Sequence, residues 1–344
     1  MTSVPHVLPP NQFHRFYAGG ARIDAFRGLP AGEDGRPEDW IGSTATEFGE
    51  QAKGLSRVAD GRLVRDLVRA DPEALLGPAH VARFGADPGL LVKLLDAGER
   101  GPVHLHPDRD FARARLGLPW GKTEAWLILS ADPGAVVHVG LREPLDAATL
   151  RRWVEDQDAG EMLAALHELP VSAGSTLFVP AGTLHAIGAG ILLLELQEPT
   201  DLSVLLEFER FGVDSGAQHL QLGWDVALSA LDRRRTDPRD LTTTVATGQE
   251  ARAVQPLLPA VAGPYFRAER LRPEHGPVEL EPSFAVLVAV GGAGTLRTER
   301  GDELELRRGS TALVPYGAGH TSILGAVDAI RCLPPEADTE EGAW

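Results

Sequence analysis

Short apolar segments bounded by turn residues dominate the chain from about Pro88 onward. Examples are LLVKLLDA, TEAWLILS, AVVHVGL, STLFVPAG and ILLLELQ, which end at or near Gly, Pro or Asp. After residue 255 the same pattern returns in GPYFRAERL, PVELEP, FAVLVAV and GTLRTE. Runs of roughly four to eight apolar residues between turn residues are typical of strands. We therefore predict a fold built mainly from β-strands.

Helical periodicity is confined to three segments. They are Val64–Leu76, Ala147–Leu169 and Trp224–Leu231, the last of which begins after Gly223. Apolar residues recur in them at the three- and four-residue spacing of an amphipathic helix. The middle segment predicts a helical insertion between strands. The stretch Arg233–Gln255, rich in Arg, Asp and Thr, predicts a linker.

An internal repeat indicates that one strand-rich unit occurs twice. GSTLFVPAGTLHA begins at Gly174 and GSTALVPYGAGHT begins at Gly309, with Gly, Pro, Gly and His at the same spacing. Upstream, GPVHLHP at Gly101 matches GPVELEP at Gly276. A repeat of this kind predicts two similar β-units in tandem. The helical insertion explains the longer gap between the two matching segments of the first copy.

Composition narrows the functional classes. The 344 residues include 33 Lys and Arg against 49 Asp and Glu, a formal charge of −16, which argues against a nucleic-acid partner. The single cysteine, Cys332, excludes an intrachain disulfide and a cysteine-based zinc site. The first twenty residues lack the basic and apolar regions of a leader, and no apolar stretch approaches a membrane span. We therefore expect a cytoplasmic protein with neither membrane nor nucleic-acid partners.

One constellation of histidines carries candidate chemistry. His104 and His106 lie two residues apart in a predicted strand, so their side chains point to the same face. His185 follows a Pro-Ala-Gly turn, and Glu124 opens the strand AWLIL. A lone histidine is usually a satisfied polar group, whereas three imidazoles and a carboxylate suit a metal such as Zn, Fe, Mn, Ni or Co. The joint occurrence of both motifs favours the metal site.

The pair His-x-His and G-x5-P-x-G-x2-H resembles the signature of the cupin barrel. The resemblance implies an all-β fold of tandem cupin (jelly-roll-like) barrels with a helical insertion and an N-terminal extension. The glutamate usual in the first cupin motif would fall near Asp110, so Glu124 is the candidate carboxylate ligand. We expect residues 1–87 to form an extension packing on the first barrel. Residues 88–232 would form the metal-binding barrel with its insertion at about 145–169, residues 233–255 a linker, and residues 256–344 a degenerate second barrel.

A closer resemblance covers Ala18 to Gly212, where HPD, GKTEAW and PAGTLHAIGAGILLLELQEPTDLS are similar to class I mannose-6-phosphate isomerases. It implies one divalent metal ion per chain, usually zinc, held by His104, His106, Glu124 and His185. Many members of that family carry Gln at the His104 position. The implied activity is interconversion of mannose 6-phosphate and fructose 6-phosphate through a cis-enediol, with Lys122 and Glu124 as catalytic residues.

Substrate contacts beyond these residues are less specific in the sequence. Trp120 is a candidate for covering one face of the sugar. Arg109 and Arg113 are candidate phosphate contacts, although a solvated helical face explains them equally well. The expected partner is a sugar or a sugar phosphate, and a homodimer is left open.

One departure from the family keeps alternatives open. Where the family carries an arginine that positions the sugar, this chain has Leu205. The alternatives are an isomerase or epimerase of a different, unphosphorylated sugar, and a non-catalytic sugar-binding cupin. A basic, phosphate-shaped pocket near Lys122 would favour the phosphomannose activity over both. In the second copy Glu279 and Glu281 replace the two histidines, so we expect no metal there.

Overall fold

The computed structural model describes residues 3–213, 216–243, 253–274 and 276–337. Among these residues no helix combines the length and the apolar character that a membrane crossing requires. The helices are short and are α1 (Ala21–Arg27), α2 (Val64–Ala70), α3 (Pro72–Leu76), α4 (Pro78–Phe84), α5 (Arg109–Phe111), α6 (Ala147–Asp156), α7 (Ala159–Ala164), α8 (Trp224–Ala227) and α9 (Pro238–Leu241).

Strands make up most of the regular structure, as the sequence predicted. Those up to residue 243 are β1 (His6–Val7), β2 (Gln12–Phe13), β3 (Glu38–Ile41), β4 (Leu91–Ala97), β5 (His104–Leu105), β6 (Glu124–Ala131), β7 (Val136–Leu141), β8 (Leu166–Pro170), β9 (Thr176–Val179), β10 (His185–Ile187), β11 (Ile191–Gln197), β12 (Val204–Leu205) and β13 (Thr242–Thr243). The later ones are β14 (Val254–Pro256), β15 (Arg267–Leu271), β16 (Val278–Leu280), β17 (Ala285–Gly291), β18 (Ala293–Thr298), β19 (Glu303–Arg307), β20 (Thr311–Val314), β21 (Thr321–Gly325) and β22 (Asp328–Leu333).

Within the described residues these strands form four antiparallel sheets, two in each half of the chain. The first half contains the seven-stranded sheet β13-β9-β6-β11-β4-β3-β2 and the five-stranded sheet β12-β5-β10-β7-β8. The second half contains the six-stranded sheet β1-β20-β17-β22-β15-β14 and the four-stranded sheet β16-β21-β18-β19. The chain is therefore mostly sheet.

The strand orders confirm the internal repeat. In the larger sheets β9-β6-β11-β4 corresponds to β20-β17-β22-β15, and in the smaller ones β5-β10-β7-β8 corresponds to β16-β21-β18-β19. The two glycines that open the repeated segment, Gly174 and Gly309, have φ values of 91° and 88°. That left-handed conformation favours glycine, so the repeat preserves a backbone geometry as well as a sequence.

The two large sheets share one hydrophobic core. Its buried residues include Leu94 and Leu194 from the first half together with Val286 and Ile330 from the second. The N-terminal segment ties the halves together, because β1 pairs with β20 whereas β2 and β3 extend the sheet of the first half. The extension expected to pack on the first barrel thus also joins the second sheet system.

The predicted helical segments occur with shorter bounds. The Val64–Leu76 segment is divided into α2 and α3 at Asp71, because Pro72 disfavours a helical conformation in the residue before it. The 147–169 insertion contains α6 and α7, but Leu166–Pro170 is strand β8 and not helix, since it pairs with β7. The predicted linker begins with α9 and β13, and its residues 244–252 lie outside the described part of the chain.

Candidate metal centre and its cavity

Two neighbouring strands of the first half bring His104, His106 and His185 together. His104 on β5 is the direct cross-strand partner of His185 on β10, and His106 follows β5 on the same face. The nitrogen atoms available for a metal all lie within 4.8 Å of one another. Among the described residues, these three histidines are the one group of possible metal ligands whose donor atoms lie this close together. We call them the His triad.

The backbone fixes the tautomer of each triad ring. The Nδ1 atoms of His104, His106 and His185 donate to the carbonyl oxygens of residues 102, 202 and 183, at 2.9, 2.7 and 2.9 Å. An imidazole that donates through Nδ1 carries its lone pair on Nε2. Each ring is therefore set to accept a cation at Nε2.

Glu124 closes the triad on one side. Its Oε2 lies 3.1 Å from Nε2 of His106, and its Oε1 lies 3.2 Å from Nε2 of His185. The Trp126 indole donates to Oε1 at 3.0 Å and orients the carboxylate. Within the described chain, Oε2 of Glu124 and Nε2 of His185 are buried and make no hydrogen bond. Unsatisfied lone pairs that converge in a buried site fit a metal cation.

The pKa values of these side chains favour the protonation states that bind a cation. Burial lowers the pKa of His106 to about 3, with Lys122 adding to the effect. Burial and the neighbouring imidazoles lower the pKa of His104 well below its usual value. Burial alone would raise the pKa of Glu124, but Lys122 and the imidazoles lower it well below the usual range. Two neutral imidazoles and an ionised carboxylate are the forms that bind a divalent metal.

Lys122 lies beside His106 and Glu124 of this group. Its Nζ lies 2.8 Å from Nε2 of His106 and 3.2 Å from Oε2 of Glu124. It is buried two residues before β6, in the GKTE segment. The structure thus brings together the predicted ligands and the predicted catalytic lysine.

A cavity extends from the triad toward the N-terminal segment, and we call it the triad cavity. His104, Lys122, Glu124 and Leu205 line its triad end. Charged residues that sequence analysis did not identify line the rest: Arg15, Glu38, Glu47, Lys93, Glu99, Glu195 and Asp201. Lys93 and Glu195 are cross-strand partners on β4 and β11. A charged residue inside an otherwise apolar strand, as in LLVKLLDA and ILLLELQ, was the available signal for both.

Glu195 has the properties of a proton carrier. It is buried, with Nζ of Lys93 at 3.6 Å from its carboxylate. Burial raises its pKa to about 8, with Lys93 opposing the rise and Glu124 adding to it. A carboxyl group that holds its proton near neutral pH suits general acid–base chemistry.

The three predicted substrate contacts lie outside the triad cavity. The Arg109 guanidinium is buried between the rings of Trp120 and Tyr265, and its Nε donates to Glu198 at 2.5 Å. Trp120 and Arg113 line a separate surface depression. Of the residues predicted to bind the metal or to act in catalysis, the structure brings together His104, His106, Lys122, Glu124 and His185.

Comparison with known proteins supplies a family context. A mannose-6-phosphate isomerase of Streptococcus mutans is 29% identical over 317 residues, which are 89% of this chain and 90% of the relative. The structure of the mannose 6-phosphate isomerase from Bacillus subtilis is similar at a TM-score of 0.76 and 24% identity, covering 95% of this chain and 99% of that one. A mannose 6-phosphate isomerase structure bound with zinc and yttrium is similar at a TM-score of 0.72 and 16% identity, covering 96% and 100%. A search of family models gave no match.

Proposed function

We propose that this chain, which belongs to the class I mannose-6-phosphate isomerase family, is a metal-dependent aldose–ketose isomerase. The observation that carries the proposal is the His triad, whose three Nδ1 atoms are committed to backbone carbonyls at one end of a charged cavity. The finer proposal, interconversion of mannose 6-phosphate and fructose 6-phosphate through a cis-enediol, rests on the family resemblance and on the names of the relatives.

We infer that the triad and Glu124 hold one divalent metal ion, with zinc as the expected metal. When bound by these residues, such an ion would supply Lewis-acid chemistry for the carbonyl and hydroxyl groups of an open-chain sugar. Imidazole ligands are neutral when they bind a metal, so the triad would leave the charge of the ion available for this purpose, while the Glu124 carboxylate would partly offset it. Trp126 holds that carboxylate in place through its indole donor.

Isomerisation requires a proton to move between C1 and C2 of the sugar. Lys122 and Glu124 are the catalytic residues expected from the resemblance, and both line the triad end of the cavity. Glu195 supports the proposal as a third group that can hold a proton near neutral pH. The cavity's burial limits the water that would compete for the proton.

The remaining proposals concern organisation. We infer that each pair of sheets is a cupin-type barrel, with residues 88–232 forming the metal-binding one and residues 256–344 the degenerate one. The cytoplasmic location and a sugar or sugar-phosphate partner are kept as expectations that follow from the sequence and the family.

The internal repeat offers a matched control for the test. His185 belongs to the triad, and His320 is its counterpart in the second half, where it is exposed. Zinc-loaded protein should convert mannose 6-phosphate to fructose 6-phosphate in a coupled assay, lose this activity on chelation and regain it with zinc. His185→Ala should abolish turnover and His320→Ala should preserve it. Equal loss in both variants, or chelator-resistant turnover, would refute a triad-based activity.

A further inference from the structure

We propose that Arg15 and Lys53 of the N-terminal extension form the binding site for the phosphate group of the sugar, and that the phosphate binds by displacing the Glu47 carboxylate from them. The inference rests on the proposed isomerase function and adds to it the residues that recognise the phosphate. It follows from the contacts of Glu47 and from the position of Arg15 in the triad cavity.

The Glu47 carboxylate bridges two cations. Its Oε1 lies 2.5 Å from Nη1 of Arg15, and its Oε2 contacts Nζ of Lys53. The arginine and the lysine are therefore spaced to share one anion. A phosphate group offers several acceptor oxygens to such donors and carries close to two negative charges at neutral pH. It can thus replace the carboxylate between the same two cations.

A short loop places Lys53 beside the cavity wall. The backbone N–H of Glu47 donates to the carbonyl oxygen of Lys53 at 2.9 Å, and the Lys53 ammonium lies 5.3 Å from the centre of the Phe13 ring. Glu47 and Phe48 line the triad cavity, whereas the tip of the loop, residues 49–52, is exposed. The second cation is therefore held next to the cavity on a side of the molecule that solvent reaches.

The other two carboxylates around Arg15 are held more firmly than Glu47. Asp201 accepts from both Nη1 and Nη2 of Arg15, at 3.1 and 3.3 Å, and Glu38 lies 3.0 Å from Nε. Asp201 and Glu38 are buried and also face Lys93. The Glu47 side chain is 19% exposed, so its charge can move into water at a smaller cost. Glu47 is the partner that an incoming anion displaces, while Asp201 keeps the guanidinium in place.

Arg15 also retains capacity to donate. Its side chain is 9% exposed and lines the triad cavity. Within the described chain its Nε is buried and makes no hydrogen bond, in spite of the nearby Glu38. An arginine offers five N–H donors in a planar fork that matches phosphate oxygens. The guanidinium can therefore bind a phosphate without giving up Asp201.

The position of Arg15 suits a phosphate at the far end of the sugar. The reacting carbons belong at the triad end of the cavity, and the 6-phosphate is at the other end of the carbon chain. From Glu195 the lining continues through Lys93 and Glu38 to Arg15, with contacts of 3.6, 3.4 and 3.0 Å. Arg15 is the only arginine among the described residues that line the cavity, and Leu205 brings no charge.

The test compares two probes on zinc-loaded protein. Mannitol 6-phosphate and mannitol differ only in the phosphate, neither can isomerise, and calorimetry gives the affinity of each. Wild-type protein should bind the phosphate at least about tenfold more tightly, and equal affinities would overturn the inference. If wild-type protein does not turn over mannose 6-phosphate, the proposed function fails, while the probe affinities still decide whether the phosphate site exists.

Removing either cation should weaken recognition of the phosphate alone. Lys53→Met and Arg15→Gln should each lower the affinity for mannitol 6-phosphate by about tenfold or more. Each should raise KM for mannose 6-phosphate, with little change in kcat or in mannitol affinity. Lys53→Arg should retain most of the phosphate affinity, and Arg57→Met, which changes an exposed cation of the same extension, should behave as wild type.

Lys53 is half-buried, so Lys53→Met keeps the test decisive if Arg15→Gln does not fold. Unchanged affinity for mannitol 6-phosphate in Lys53→Met would overturn the inference. An equal loss of affinity for mannitol and its phosphate would overturn it as well, because it would show a general defect of the cavity.

Glu47→Gln tests the displacement itself. Without the competing carboxylate a larger fraction of the protein is ready to bind, so mannitol 6-phosphate should bind about threefold or more tightly than to wild type. A residue that only stabilises the loop would not give tighter binding on removal of its charge. The exposed control Glu50→Gln should leave the affinity unchanged. Unchanged or weaker binding to Glu47→Gln would overturn the displacement.

Discussion

At the scale of single residues, the three fixed tautomers account for the metal affinity that we expect of the His triad. Removing one ring leaves two imidazoles and a carboxylate that is still buried. Loss of a ligand usually lowers metal affinity by orders of magnitude, because affinity depends on the full donor set. His106→Ala should therefore be isolated without stoichiometric zinc after dialysis, whereas wild-type protein should retain it. Elemental analysis of both proteins decides this, and zinc retained in the variant would argue against the triad.

The lowered pKa values of His104 and His106 lead to a second residue-scale prediction. Free imidazoles bind protons below about pH 6.5 and then lose roughly tenfold in metal affinity per ring and pH unit. Burial lowers the pKa of His106 to about 3 and that of His104 well below its usual value, so protons compete weakly at these rings. Zinc affinity should fall less than a hundredfold between about pH 7 and about pH 5 in a chelator-competition titration. A loss above a thousandfold would contradict it.

The sequence revealed some of these residues and concealed others for a physical reason. His104, His106 and His185 were predictable because their spacing and the Pro-x-Gly turn are local features. Arg15 and Asp201 were not, since they are 186 positions apart and meet only through tertiary packing. The ion pair between Arg109 and Glu198 was not predictable either, because the sequence alone does not distinguish it from a contact between Arg109 and a phosphate.

At the scale of elements, strand β6 is anchored from the side by a buried ion pair. Arg109 donates to Oε1 of Glu198, whose Oε2 accepts the backbone N–H of Thr123, between Lys122 and Glu124. Arg109 also donates to the carbonyl oxygen of Pro264 in the second half. The pair therefore links the segment that carries the proposed catalytic residues, Lys122 and Glu124, to the other half of the molecule.

Breaking this pair should lower both the stability of the fold and the zinc affinity of the proposed metal centre. Truncating one partner of a buried ion pair leaves the other charge uncompensated, which costs about 3 kcal/mol or more. Arg109→Met should lower the free energy of unfolding in urea by about that amount and reduce zinc affinity. Arg113→Met is the matched control on the same segment, because its side chain is 42% exposed. The control should stay within about 0.5 kcal/mol of wild type, and a similar loss in both variants would contradict the anchor.

At the scale of the whole molecule, the two halves share a strand order but differ in which side chains face inward. In the first half Val103 and Leu105 pack toward the helical layer, in a cluster with Leu150 and Trp153, and His104 faces the cavity. A strand exposes alternate side chains to opposite faces, so a change by one residue exchanges the buried and exposed sets. The sequence repeat predicted the shared strand order. It did not predict that the buried and exposed side chains are exchanged between β5 and β16, because register is set by packing against neighbouring strands.

The second half shows the exchanged arrangement, which leads to a prediction of metal stoichiometry. Val278 and Leu280 of β16 belong to a hydrophobic cluster that also contains Leu287 of β17 and Leu296 of β18, which lie in the two sheets of that half. Glu279, Glu281 and His320 are exposed instead, with His320 Nδ1 3.6 Å from Glu281.

Water competes with exposed, loosely arranged side chains of this kind for a metal ion. The set also lacks the fixed tautomers of the triad, so it should bind zinc weakly. We therefore expect one zinc per chain by elemental analysis after dialysis, and the same value for His320→Ala. The interior where the first half carries the His triad is filled by apolar side chains in the second half. Two zinc ions per chain, with the second lost in His320→Ala, would show that duplication had preserved both centres.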